Sequence, residues 1–236
     1  MPRNNEARKS STEMSKREEL KLRRKRQEQR QRLIPIGIIA LAVLAIVAII
    51  IFVSGQTNPA SSRPSAAGLS MGSASALVKV DEYADFQCPA CATFVQQTEP
   101  TLVKDYISTN KVLFQFHPFS FLGPESNTAA EAAYCASDQN KFWEFHDTLY
   151  NDQHGENKGW FTAARMLTYA ANLGLNKDTF KTCLDSGKYK QQVLDDFDTA
   201  RAKGIDRTPS FIINGQIVYA DNLISAINDA LKAKGQ

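Results

Sequence analysis

Hydrophobic and polar positions divide this chain into segments of different period. Leu33 to Val53 is a run of twenty-one residues without a charge, built from Ile, Leu, Val, Ala and Phe with one Pro and one Gly. As a helix rising about 1.5 Å per residue it is roughly 31 Å long, which matches a hydrocarbon core of about 30 Å and predicts a transmembrane helix. Residues 54–75 are rich in Ser, Gly, Ala and Pro and predict a flexible linker that builds no core. From Ala76 onward the pattern is that of a folded domain. Leu77 to Phe86 predicts a strand, Cys88 opens a helix reaching about Asn110, and Val112 to Phe116 predicts a second strand. A long helical stretch follows over about 124–203, punctuated at His154-Gly155-Glu156-Asn157-Lys158-Gly159 and at Leu173-Gly174-Leu175-Asn176. Short strands at Ser210 to Ile213 and Gln216 to Tyr219 flank Asn214-Gly215, a hairpin signal, and a helix from Asn222 to Lys234 closes the chain. The order β-α-β, helices, β-β-α predicts an α/β domain over 76–236 with a mixed sheet and a helical insertion.

Charge adds a direction to this layout. Residues 1–32 carry twelve Lys/Arg against five Glu, a net of +7; the whole chain is +3, so everything after residue 32 sums to −4. The basic leader is therefore expected to be cytoplasmic by the positive-inside rule, with the domain facing outward from a single-pass membrane protein. An uncleaved anchor is favoured over a cleaved signal peptide, because the apolar run is longer than a signal core and the basic region before it is long. The leader lacks the interleaved aromatics of a nucleic-acid patch; topology and attraction to anionic lipid account for it. Four cysteines, enough for two disulfides, suit an oxidising compartment.

The chemistry concentrates at Cys88-Pro89-Ala90-Cys91, between the first strand and the first helix. Two intervening residues wrapped into a helical turn bring both sulfurs within disulfide reach, and the first sulfur lies beside the unpaired N–H groups of the helix start. That field favours the nucleophilic thiolate. Pro89 suits the first helical position because its missing N–H orphans nothing. A zinc half-site would need a second close Cys or His pair, which the sequence lacks. A small structural disulfide loop is the other alternative to a redox dithiol. His117, His146 and His154 are assigned to packing or solvent, Asp81 and Asp85 to solvent, and no metal is expected.

The run Glu82-Tyr83-Ala84-Asp85-Phe86-Gln87-Cys88-Pro89-Ala90-Cys91, the later Thr208-Pro209-Ser210-Phe211 and Asn214-Gly215 together resemble the thioredoxin-fold family of DsbA-like thiol-disulfide oxidoreductases, in its membrane-anchored form. The likeness covers 76–236 in order, insertion included. It implies that Cys88 is the exposed nucleophile and Cys91 the buried resolving thiol, with no bound cofactor. The Pro89-Ala90 dipeptide departs from the Pro-His of the family's strongest oxidants, so a weaker oxidant is expected. Glu82 stands where the family places an acid beneath the dithiol; on an alternating strand it shares a face with Val78 and Val80, where burial would raise its pKa and let it relay a proton to Cys91. A solvated acid at the strand end is the alternative. Pro209 matches the family's cis-proline, which brings the Thr208 backbone toward the dithiol as a client-binding edge. The resemblance further implies a Cys135–Cys183 disulfide, two separate buried thiols being the alternative. Its implied partners are exported client proteins bearing thiols and a quinone-linked membrane reoxidant of the DsbB or vitamin K epoxide reductase (VKOR) type. Thr208 and Ala90 leave a reductase or isomerase open as a second reading, and a non-catalytic tethered binding module as a third.

Overall fold

The computed structural model describes residues 63–235. The leader, the predicted span 33–53 and residues 54–62 lie outside the described residues, and among those described no helix is long and apolar enough to cross a membrane. The elements are β1 (Ser70–Met71), β2 (Val78–Ala84), α1 (Pro89–Gln97), α2 (Glu99–Leu102), a π-helical turn (Val103–Ile107), β3 (Val112–Pro118), α3 (Pro124–Ser137), α4 (Phe142–Asn151), α5 (Ala163–Asn172), α6 (Lys177–Asp185), α7 (Lys190–Ala202), β4 (Ser210–Ile213), β5 (Gln216–Tyr219) and α8 (Leu223–Lys232).

Five strands form one mixed sheet in the order β1-β3-β2-β4-β5. The central strand β2 runs parallel to β3 and antiparallel to β4, which sets Glu82 between Phe116 and Phe211. Alternation along β2 sends Val78, Val80 and Glu82 to one face, all buried, while Lys79 is exposed and Asp81 half-buried on the other. The Glu82 face carries the main core, with Phe94 of α1, Phe145 and Tyr150 of α4 and Ile227 of α8. On the opposite face Tyr83 and Phe119 pack with Ala200 of α7 and Ile205. The insertion α3–α7 is closed by a disulfide between Cys135 on α3 and Cys183 on α6, 48 residues apart with Cα atoms 5.9 Å from each other.

Two sequence expectations are corrected here. The helix expected to run unbroken to Asn110 stops at Gln97, because Pro100 has no N–H to give the Gln96 carbonyl and crowds it. The chain restarts as α2, with Pro100 in its first turn. The linker expected over 54–75 is folded from Arg63 onward: β1 pairs antiparallel with β3, Met71 is fully buried, and the Arg63 side chain is only 7% exposed. Composition missed this because two anchoring side chains sit among small polar residues. Gly72 explains one of the glycines, since its φ is +102° and a Cβ there would lie 2.5 Å from the Val112 carbonyl oxygen.

Candidate active site: a dithiol above a buried carboxyl

Cys88 is the N-cap of α1, with extended backbone (φ −73°, ψ 120°), and Pro89 occupies the first turn. Cys91 follows one turn later on the inward face; both are free thiols. Cys91 is fully buried and Cys88 keeps 7% exposure. The contrast between the two thiols has the expected direction, but Cys88 is far more covered than the exposed nucleophile anticipated, because the Thr208–Pro209 loop leans over it. That peptide bond is cis, and the Cys88 thiol donates to the Thr208 carbonyl at 3.5 Å. Beside it a groove of about 540 Å³ is lined by Ala90, Phe94, Pro209 and Ile224 among others.

The electrostatics split the two thiols. A hydrogen bond from Cys91, helped by the backbone N–H groups of Cys91 and Ala90, lowers the Cys88 pKa to about 6 against the opposing effect of burial. Burial first, then the neighbouring Cys88 and Glu82, push the Cys91 thiol well above its ordinary value. Cys88 is thus the thiolate near neutral pH and Cys91 holds its proton.

Asp85 positions the turn into the dithiol, and its reading as a solvated acid is corrected. It is fully buried. Its Oδ1 accepts from the Gln87 N–H at 2.8 Å and from the Ser126 hydroxyl at 2.7 Å, and its Oδ2 accepts from the N–H groups of Phe121 at 2.9 Å and Leu122 at 3.1 Å. Burial raises its pKa while these four donors work against the rise. Gln153 Nε2 donates to the carbonyls of Phe86 at 2.6 Å and Cys88 at 3.2 Å, so α4 and the loop after it also hold the turn. Asp81 is likewise not simply solvated: it pairs with Lys79 at 2.9 Å and with His117 at 2.7 Å, and despite partial burial those partners lower its pKa.

Beneath the dithiol lies Glu82, fully buried, with neither carboxyl oxygen hydrogen-bonded. Burial and then Glu99 raise its pKa well above the ordinary range, and Arg63 opposes them. Glu82, Glu99 and His146 bring ligand-type atoms within 4.8 Å of one another, a set that invites comparison with a divalent-cation site. Here Arg63 already supplies the positive charge, its guanidinium bonding both Glu99 and Asp147. The charge of the group is therefore already partly balanced without a metal. His146, read from sequence as packing, is buried among Phe86, Phe116, Phe142, Trp143 and Tyr150, yet its Nδ1 lies 2.9 Å from Asp147 Oδ1. Arg63, Glu99, Asp85, Gln87 and Ser126 are site residues that sequence reasoning missed. Only Asp85 left a signal, since an Asp two residues before a turn N–H is the Asx-turn pattern.

A dithiol split in this way, on a helix start of a thioredoxin-type sheet and facing an X-Pro loop, defines a thiol-disulfide oxidoreductase. A family model described as Thioredoxin matches residues 65–233, and the chain belongs to that family, in its DsbA-like branch. It is 34% identical over 169 residues to a probable disulfide bond formation protein D of Bacillus anthracis, spanning 69% of this chain and 78% of that protein. It is 31% identical over 188 residues to disulfide bond formation protein D of Bacillus subtilis, spanning 76% and 85%. The crystal structure of oxidised BdbD from Bacillus subtilis superposes with a TM-score of 0.65 at 28% identity, covering 70% of this chain and 93% of that one.

Proposed function

We propose that this enzyme donates disulfides to exported proteins from an extracytoplasmic position, held at the membrane by residues 33–53 with the basic leader in the cytoplasm. The observation that carries the direction is the lowered Cys88 pKa. A stabilised thiolate favours the reduced enzyme, and an enzyme that prefers to be reduced is an oxidant of its clients. The names of the Bacillus relatives support the same direction.

In the reaction a client thiolate attacks Cys88 Sγ of the Cys88–Cys91 disulfide. The bond's electron pair passes to Cys91 Sγ, which takes a proton from the Glu82 carboxyl. A second client thiolate then attacks the client sulfur of the mixed disulfide and releases Cys88 as thiolate. The client has lost two electrons and the enzyme has gained them. Thr208 and Pro209 border the groove in which an extended client would lie, and a quinone-linked membrane partner of the DsbB or VKOR type would return the dithiol to disulfide. Pro89 and Ala90 add no side-chain cation to Cys88, which is why a moderate oxidant, rather than the strongest of the family, is expected.

The test is the glutathione equilibrium of the Cys88–Cys91 pair. A potential of about −120 to −180 mV supports a disulfide donor, and one near about −270 mV replaces this reading with a reductase. Cys88→Ser should abolish turnover; client binding that persists with wild-type turnover unmeasurable would indicate a binding module instead.

A further inference from the structure

Five buried polar atoms without a partner belong to the group around Glu82 and are not independent. They are both Glu82 oxygens, Glu99 Oε2, His146 Nε2 and Arg63 Nε, and the other end of each side chain neighbouring Glu82 is tied down. Glu99 Oε1 is bonded by Arg63 Nη1, Asp147 Oδ1 by Arg63 Nη2, and His146 Nδ1 by that same Asp147 oxygen. One guanidinium thus fixes Glu99 directly and His146 through Asp147, and both side chains bring a ligand-type atom within 4.8 Å of Glu82. Arg63 itself is seated by stacking over Trp143, 4.6 Å from the ring centroid, and Trp143 Nε1 donates to the Ser70 carbonyl at 3.2 Å. It belongs to the N-terminal segment, 25 positions before Cys88 and ahead of every strand.

We propose that Arg63 is a positioning residue for proton transfer at the dithiol: it holds Glu99 and His146 around Glu82 and supplies the one cation of that buried group. The segment next to the linker is thereby part of the redox site. This rests on the reading of Glu82 as the proton donor to Cys91. When Glu82 gives its proton to the departing Cys91 thiolate, a carboxylate is created in a pocket that already holds Glu99 and Asp147. Arg63 is the charge that makes this tolerable. The groups acting on Glu82 are Cys91 from α1, Glu99 from α2, His146 and Tyr150 from α4, and Arg63 from the N-terminal segment; Cys88 and Asp147 lie one step further out, beside Cys91 and Arg63. Arg63 favours the ionised Glu82 and Glu99 disfavours it, so the two members of one ion pair act on the donor with opposite sign.

That opposition gives the test, made on the full chain by following the oxidation of a dithiol peptide in single turnovers from pH 5 to 9. The alkaline limb of the rate profile reports the loss of the Glu82 proton. Arg63→Met should slow the reaction about tenfold and move that limb up by about one pH unit, with Arg63→Lys restoring most of the rate. Glu99→Gln should move the same limb down. In a Glu82→Gln background, itself slower by about 100-fold, neither change should have a further effect. Shifts of the same sign, or an Arg63→Met enzyme with an unmoved profile, overturn the proposal while leaving Glu82 as donor. A Glu82→Gln enzyme as fast as wild type overturns the donor reading itself. If Arg63→Met does not fold, Glu99→Gln decides by the direction of its shift.

Discussion

Cys88 concentrates the chemistry of the molecule in one ionisation. Its pKa lies near 6 against an ordinary 9.0, and a lowered value stabilises the folded, reduced protein above the ordinary pKa and loses that contribution as pH falls through about 6. The melting temperature of the reduced protein should therefore fall relative to that of the oxidised protein between about pH 9 and pH 6, because the disulfide has no thiol to titrate. Thiolate absorbance should show its midpoint near 6, and Cys91→Ala, which removes the principal hydrogen bond, should move that midpoint up. The placement of these residues was legible because it follows from short spacings: Cys88 and Cys91 lie one helical turn apart, and the inward face of Glu82 follows from the period of a strand. The turn at Asp85 left a local signal but its burial did not, since that burial is made acceptable by Phe121, Leu122 and Ser126, which are more than thirty residues away. Asp85→Ala strands those donors at once and should cost about 3 kcal/mol or more in denaturant unfolding, the upper range for loss of a buried hydrogen-bonded charge.

The elements add what single residues cannot. Pro100 ends the first helix early and restarts it, so Glu99 enters the first turn of a new helix, where the backbone dipole favours a carboxylate and the side chain turns inward. Strands β2 to β5 were readable from alternation and from the Asn214-Gly215 hairpin, whereas this break was not, because a proline in a helical pattern signals either a kink or an N-terminus and only packing decides. The Cys135–Cys183 link joins α3 to α6 within the insertion, away from the dithiol. In the chain-entropy view it constrains a loop of 48 residues and contributes about 4 kcal/mol, an upper figure. Cys135→Ala with Cys183→Ala should lower unfolding stability by up to that amount in guanidinium titrations while leaving the glutathione equilibrium of Cys88 and Cys91 in place. A change in that equilibrium would mean that the insertion strains the active-site turn.

At the scale of the whole molecule the question is where the catalytic domain begins. Hydropathy and composition place the boundary at Ala76, after a linker, yet the strand Ser70–Met71, the buried Met71 and the Arg63 ion pairs lie before it. A chain starting at Ala76 loses the burial of Met71, about 2 kcal/mol, and leaves Glu99 and Asp147 buried without their cation, about 3–5 kcal/mol more. Against a usual domain stability of about 5–15 kcal/mol that loss is the whole margin at its lower end. The short chain should therefore melt far below one starting at Asn58, or fail to fold cooperatively. The charge origin of the deficit has its own signature. Asp147 is held below the ordinary carboxylate range by His146 and Arg63 against the effect of burial, so its paired contribution is present above that range and disappears as pH falls through its lowered value. The stability gap between the two chains should narrow as the solution is made acid from neutral. A gap that stays constant with pH would assign the loss to Met71 and the β1–β3 pairing alone, and would leave the N-terminal segment a packing element with no electrostatic part in the fold.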